Sequence, residues 1–162
     1  MAKTIAWAGI DPGQSGCACL LTPGKIHFHD FVSEEKAAAI IDQWKYYYRV
    51  KFLLEKVQVI RIPRKGKSDF MGGLGIIEHF GFWRGVLVAF ECNFIVKTPG
   101  QWQKIMPGKR AKTETTKDRS LLWARKFYPA AGDMLSRKKD NNRADALLMA
   151  HYLRQVETGM GV

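Results

Sequence analysis

Acids, cysteines and long apolar runs are all scarce in this sequence, and each scarcity narrows what the chain can be. Only 15 aspartates and glutamates stand against 26 lysines and arginines over 162 residues, a formal net charge of +11 and a pI of about 9.7. That imbalance points to a polyanionic partner, and nucleic acid is the commonest polyanion. The three cysteines, Cys17, Cys19 and Cys92, lack the spacing of a metal site. Cys17 and Cys19 fall on one face of a strand pattern, so they read as buried thiols in a reducing cytosol. No window approaches the roughly 18 consecutive apolar residues of a membrane span. The opening "MAKTIAWAGID" lacks a signal-peptide layout because an acid ends its apolar stretch early, so a cytoplasmic protein is expected. Repeats and low-complexity segments are absent as well. What remains, 46% hydrophobic residues, suits one domain over 1–162 with a sizeable core.

The local patterns give an order of elements. "TIAWAGID" reads as a buried strand, "PGQSG" as turn chemistry, and "CACLLT" and "KIHFHDF" as two strands joined at Pro23-Gly24. Ser33 is placed to cap the helix "EEKAAAIIDQWKYYY", whose Glu34 and Glu35 suit its positive end. A fourth strand follows in "KFLLEKVQVI". "RIPRKGKSDFMGG", with its proline, glycines and basic residues, is expected to be a loop. Helical spacing returns in "LGIIEHFGFWRGVLVAFE", then a fifth strand in "NFIVKT". Thr98 and Pro99 open the short helix "PGQWQKIM". "PGKRAKTET" is a second basic loop, and the helices "TKDRSLLWARKFYP" and "RADALLMAHYLRQVE" complete the chain. The order βββ-α-β-α-β-α-α-α specifies an α/β fold, a mixed five-stranded sheet with helices on its faces. Trp44, Tyr46, Tyr47, Tyr48, Trp83 and Trp102 are assigned to core packing, and His79 and His151 to satisfied positions in the core.

Three carboxylates stand where acids are unusual. Asp11 ends the first strand at a Pro-Gly turn. Glu55 interrupts the apolar run "FLLEKV", where burial is costly unless the acid is paired or binds a cation. Asp145 lies in the first turn of the last helix, beside the apolar face formed by Ala144, Leu147, Leu148, His151 and Tyr152. Singly these are a turn former, an outward-facing strand residue and a dipole-complementing acid. Together they are oxygen-only ligands of the kind that suits Mg²⁺ or Mn²⁺. Pairs of such ions recur in phosphodiester hydrolysis.

"GIDPGQSG", "LLEKV" and "RADALLMAHY" resemble the three acidic motifs of RuvC-type Holliday-junction resolvases, in the RNase H-like (retroviral-integrase) superfamily. "GGLGIIEHFGFWRGVL" is similar to that family's helix after the second acid, and "VKTPGQWQKIM" to its "TP-x-x-W" stretch. The phage and chloroplast branches are the nearer ones, which would place a phage protein in its host's cytoplasm. The resemblance implies an RNase H-like fold and a Mg²⁺- or Mn²⁺-dependent endonuclease with two ions per site. It also implies a homodimer that makes paired nicks in a four-way DNA junction. By motif, Asp11, Glu55 and Asp145 become catalytic metal ligands. The family carries a fourth acid or histidine shortly before the last ligand, and here the sequence departs. The helical neighbours of Asp145 are Asn141 and Asn142, while Asp140 is five residues back, turned away by about 140° in a continuous helix. Asp140 can serve only from a loop folded inward, with the helix starting near Asn142 or Arg143. An asparagine oxygen, or an asparagine standing in for a lost acid, are the alternatives; Asp140 is the expected ligand.

Basic residues mark the DNA contacts. Arg61, Arg64, Lys65 and Lys67 crowd the first basic loop, with Phe70 as an apolar wedge that the resemblance sends into the junction. Lys104, Lys109, Arg110, Lys112 and Lys117 follow from the second loop and the helix after it, with Arg119 beside them, and Lys138 and Lys139 stand just before the acids. Two rival readings share these features: an RNase H-like nuclease with another nucleic-acid substrate, and a junction-binding protein that does not cut.

Overall fold

A computed structural model describes the backbone of residues 2–57, 60–64, 67–71 and 73–159, and the side chains of 2–57 and 75–159. The first three strands, β1 (Thr4–Asp11), β2 (Cys17–Leu21) and β3 (Ile26–Asp30), form an antiparallel meander. Helix α1 (Glu34–Tyr47) starts at Ser33, whose hydroxyl accepts the Lys36 N–H at 3.3 Å. It leads into β4 (Tyr48–Glu55), which pairs parallel to β1. Next come β5 (Ile60–Arg64), β6 (Lys67–Met71) and helix α2 (Gly73–Ala89). Strand β7 (Asn93–Lys97) lies parallel to β4. Then follow α3 (Pro99–Trp102), α4 (Thr116–Phe127) and α5 (Asn141–Thr158). The main sheet is five-stranded and mixed, in the order β3-β2-β1-β4-β7. Among the described residues, no helix is long and apolar enough to cross a membrane.

The two-residue period of the strands sorts side chains between two cores. Ala6, Ala8 and Ile10 of β1 join Val50, Phe52 and Leu54 of β4 on the face covered by α1 and α2. Trp7 and Leu53 point the other way, into the core shared with α4 and α5. Asp11 and Glu55 continue this second series, so both carboxylates leave the sheet on the α5 side. Strand β4 lies between β1 and β7, where the apolar run demands burial on both faces. Glu55 is its last residue, at the sheet's rim, and not in mid-strand as the sequence suggests.

Three expectations are corrected. The segment taken as a loop, 61–73, contains an antiparallel hairpin, β5 with β6, in which Arg61 pairs with Phe70 and Arg64 with Lys67. Ile60, Ile62 and Phe70 supply the strand-favouring side chains, and Pro63 is tolerated because it occupies a strand of a two-stranded sheet, where each strand has a free edge. Tyr46 and Tyr47 are surface residues, 72% and 60% exposed, while Trp44, one helical turn from the buried Ile41, takes the core position. Asn141, ahead of the expected start, opens α5 directly after a 3₁₀ turn over Lys138–Asp140.

Gly9 sets how closely α5 approaches. A Cβ there would stand 2.1 Å from the Ala146 carbonyl oxygen and 2.6 Å from the Met149 Cβ. The bare strand backbone therefore lets the helix lie directly on β1, with Asp145 one residue from the contact. Gly9→Ala is expected to destabilise the fold by about 1–3 kcal/mol, as overpacking does, measured by urea unfolding.

Candidate active site

The sheet's rim gathers the acids. Asp11 leaves β1 into the turn 12–16, and its Oδ1 accepts the Gly13 N–H at 3.0 Å. Ile10 and Leu54 are register partners in the parallel pair, which sets Asp11 and Glu55 side by side on adjacent strand ends. Glu55 Oε2 accepts the indole N–H of Trp102 at 2.8 Å. Trp102 is fully buried, so its ring fixes the carboxylate's orientation from α3. Sequence reasoning placed Trp102 in the core and missed this bond; the signal was an indole N–H, which needs a partner when buried. Asp145 arrives from α5, across Gly9.

The electrostatics are those of crowded, dehydrated acids. Burial raises Glu55 to about 8, and the neighbouring Asp11 and Asp145 push it in the same direction. Burial likewise raises Asp145 to about 7, with Asp11 adding to the shift, while Ser120 and Lys117 partly offset it. Asp11 is also raised by burial, against the Gly13 N–H and Lys117. Asp145 Oδ1 is buried with no hydrogen-bond partner among the described residues, and the nearby Ser120 hydroxyl does not reach bonding geometry. An orphaned carboxylate oxygen beside two acids that resist ionisation is a place for a cation. As they stand, the described residues hold no group of three acids, histidines or cysteines close enough to enclose a metal ion. The oxygen-only donor set nonetheless fits a hard divalent cation.

Asp140 is placed elsewhere. Its carboxylate is 4% exposed and engaged by Arg137, which donates its backbone N–H to Oδ2 at 2.8 Å and its Nη2 to Oδ1 at 2.8 Å. These contacts hold Asp140 below the usual carboxylate range. It shares a cavity of about 280 Å³ with Asp30, Arg137, Lys139 and Arg143, beyond the Asp11 turn. Arg143 in turn grips Asp30 at the end of β3, with Nε on Oδ1 at 2.8 Å.

The basic residues divide by how they are employed. Arg119 donates to the Met106, Pro107 and Gly108 carbonyls at 3.0, 3.0 and 2.6 Å and pairs with Glu114, bracing the second basic loop from within. Arg110 reaches the Thr116 hydroxyl at 2.7 Å. Lys104, Arg110, Gln103 and Thr116 line a cavity of about 560 Å³. Lys104, Lys109, Lys112, Lys117, Lys138 and Lys139 are exposed. Arg61, Arg64, Lys67 and Phe70 lie on the β5–β6 hairpin, and their side chains fall outside the described residues, as does Lys65 altogether.

A mixed sheet with a meander first, two acids on adjacent parallel strand ends and a third on a crossing helix has the architecture of the RNase H-like class. Within that class the chain has the fold of RuvC. The Thermus thermophilus RuvC in complex with a Holliday junction substrate is similar over 96% of each chain, with 16% identity and a TM-score of 0.60. A second Thermus thermophilus RuvC structure is similar over 95% of this chain and 96% of the other, with 15% identity and a TM-score of 0.50. No protein-family model and no curated protein sequence matches the chain.

The raised carboxyls make stability fall with pH. Glu55 and Asp145 bind protons more tightly folded than unfolded, so their contribution is full below the ordinary carboxylate range. It is lost as the pH rises toward about 7 and 8. The urea midpoint of metal-free protein is therefore expected to drop between pH 5 and pH 8.5. Asp145→Asn should flatten that slope, and saturating Mg²⁺ should reverse it.

Proposed function

We propose that the protein is a divalent-metal-dependent endonuclease that resolves four-way DNA junctions by paired nicks. The observation that carries this reading is the triad Asp11, Glu55 and Asp145, half-buried acids that feel one another's charge at one rim of the sheet, one with an unpartnered oxygen, on a chain of net charge +11. The likeness to a RuvC that holds a Holliday junction supplies the substrate class. Asp11, Glu55 and Asp145 hold the metal, Mg²⁺ or Mn²⁺, with two ions per site. Bound there, such ions neutralise the acids, polarise the phosphate and lower the pKa of water. Trp102 keeps the Glu55 carboxylate aimed at the site. Lys117, whose charge reaches Asp11 and Asp145, draws the scissile phosphate toward them. The cavity beside Lys104 and Arg110 takes backbone phosphates of the same strand, Lys109, Lys112, Lys138 and Lys139 add long-range attraction, and the segment 61–70 supplies Arg61, Arg64, Lys65, Lys67 and Phe70 to the junction. Asp140 holds the entrance to α5 and stands outside the metal site.

A symmetric junction calls for a symmetric enzyme. Helix α2 offers the surface. Ile77 and Val88 are 44% and 59% exposed, and Gly81 and Gly85 lie between them on the same helical stripe. Among the described residues, no atom stands within 4 Å of where a Cβ would be on either glycine. A second copy of α2 fits this stripe at close range. Val88→Glu with Gly85→Arg is expected to turn the dimer into monomers in sedimentation velocity and to replace paired nicks by single ones.

The neutral Asn141-Asn142 pair supports a second reading, in which the protein binds junctions without cutting. Nicking of a synthetic four-way junction with and without Mg²⁺ separates the two. Under the first reading, cleavage requires the metal. Asp11→Asn, Glu55→Gln and Asp145→Asn should each lower the rate at least about 100-fold, the scale of one lost charge-stabilising group, with junction affinity unchanged. Asp140→Asn should cost far less than these. Tight binding with no cutting at any Mg²⁺ or Mn²⁺ concentration would select the second.

A further inference from the structure

Asn141 and Asn142 precede Asp145 by four and three residues, on the side of α5 that carries it. The Asn142 amide is held at both ends. Its Oδ1 accepts from Asn141 Nδ2 at 2.7 Å, while its Nδ2 donates to the Ser15 carbonyl and to Ser15 Oγ, the latter at 3.0 Å. Ser15 belongs to the turn that follows Asp11, and that turn is tight. The Gly16 N–H donates to the Gly13 carbonyl at 2.8 Å, and the Gly13 N–H donates to Asp11 Oδ1. A Cβ on Gly16 would stand 2.1 Å from the Asp11 carbonyl oxygen. Such a turn has no slack, so a displacement of Ser15 reaches the Asp11 carboxylate. On its other flank Gln14 lies against Gly75 of α2, with its amide nitrogen 2.2 Å from where a Cβ would be.

We infer that Asn142 is a positioning residue. Its amide ties the turn bearing Asp11 to the helix bearing Asp145 and so sets the separation of the two carboxylates, with Asn141 fixing the amide's orientation. The inference rests on the reading that Asp11 and Asp145 share a metal. It also explains why an asparagine stands here. The strut needs an N–H donor toward the Ser15 carbonyl, and an aspartate would set a carboxylate oxygen against that carbonyl oxygen. Asn142 is thus selected for its nitrogen and is not the remnant of a lost acidic ligand.

The test is Mn²⁺ binding to the full chain without DNA, by titration calorimetry, read beside nicking rate and junction affinity. Residues that hold ligands in place change metal affinity or activity by about 10–100-fold when altered. Asn142→Ala and the near-isosteric Asn142→Asp should both weaken Mn²⁺ binding and slow nicking by that order, with junction affinity and melting temperature in EDTA close to those of the unaltered protein. Ser15→Ala, which keeps the carbonyl acceptor, should lose less than either. Tighter Mn²⁺ binding by Asn142→Asp would overturn the inference by making position 142 a ligand position, and unchanged binding in both variants would remove the strut. If the unaltered protein binds no Mn²⁺, the metal-site reading falls first, and the inference with it.

Discussion

Three carboxyl groups on one half-buried rim of the sheet repel one another, and the arrangement of the chain around them accommodates that repulsion. Burial alone disfavours each charge, and each neighbour disfavours it further. The fold provides only partial relief: the Gly13 N–H for Asp11, the Trp102 indole for Glu55, and Ser120 and Lys117 near Asp145. Cations elsewhere are deployed differently. Arg137 and Arg143 neutralise Asp140 and Asp30, and Arg119 is absorbed by loop carbonyls. Among the described residues, Asp11, Glu55 and Asp145 form no ion pair, and Lys117 alone is a cation acting on Asp11 and Asp145. In a protein of such basic character this withholding is what the proposed divalent ion and phosphate would complete.

The same rim is mechanically fixed. Parallel pairing of β1 with β4 sets two of the acids in register. Gly9 removes the side chain that would lift α5 off the sheet. The Asn142–Ser15 contact joins the helix to the turn beyond Asp11. Side chains that face a developing charge work best when they need no rearrangement at the moment of reaction, and rigid elements supply that here.

The sheet, and the positions of the three acids at strand ends and in the first turns of α5, were legible in the sequence because their signals are local and periodic. Alternation marks β1 to β3, an acid breaking an apolar run marks Glu55, and a first-turn acid beside an apolar helix face marks Asp145. What escaped depends on tertiary partners. Asp140 was expected to turn toward Asp11, but a 3₁₀ turn presents it to Arg137, three residues earlier. The β5–β6 hairpin was hidden by its proline and glycines, which usually punctuate loops. Tyr46 and Tyr47 follow a buried tryptophan, and spacing alone did not say which aromatic faces the sheet. Trp102 looked like any buried aromatic until its N–H met Glu55. Arg119 and Lys117 are two residues apart with the same charge, and only the fold shows that one is spent on carbonyls while the other faces the acids.

If a metal completes the triad's charge, as proposed, proton release tests it most directly. At pH 7 a metal entering the site must displace the protons that burial keeps on Glu55 and Asp145, whose values are about 8 and about 7. Calorimetric titration with Mn²⁺ in buffers of different ionisation enthalpy should show release of about one proton per site. The release should fall as the pH is raised to 9 and shrink in Glu55→Gln. Metal binding with no proton release at pH 7, or with release undiminished in Glu55→Gln, would contradict it.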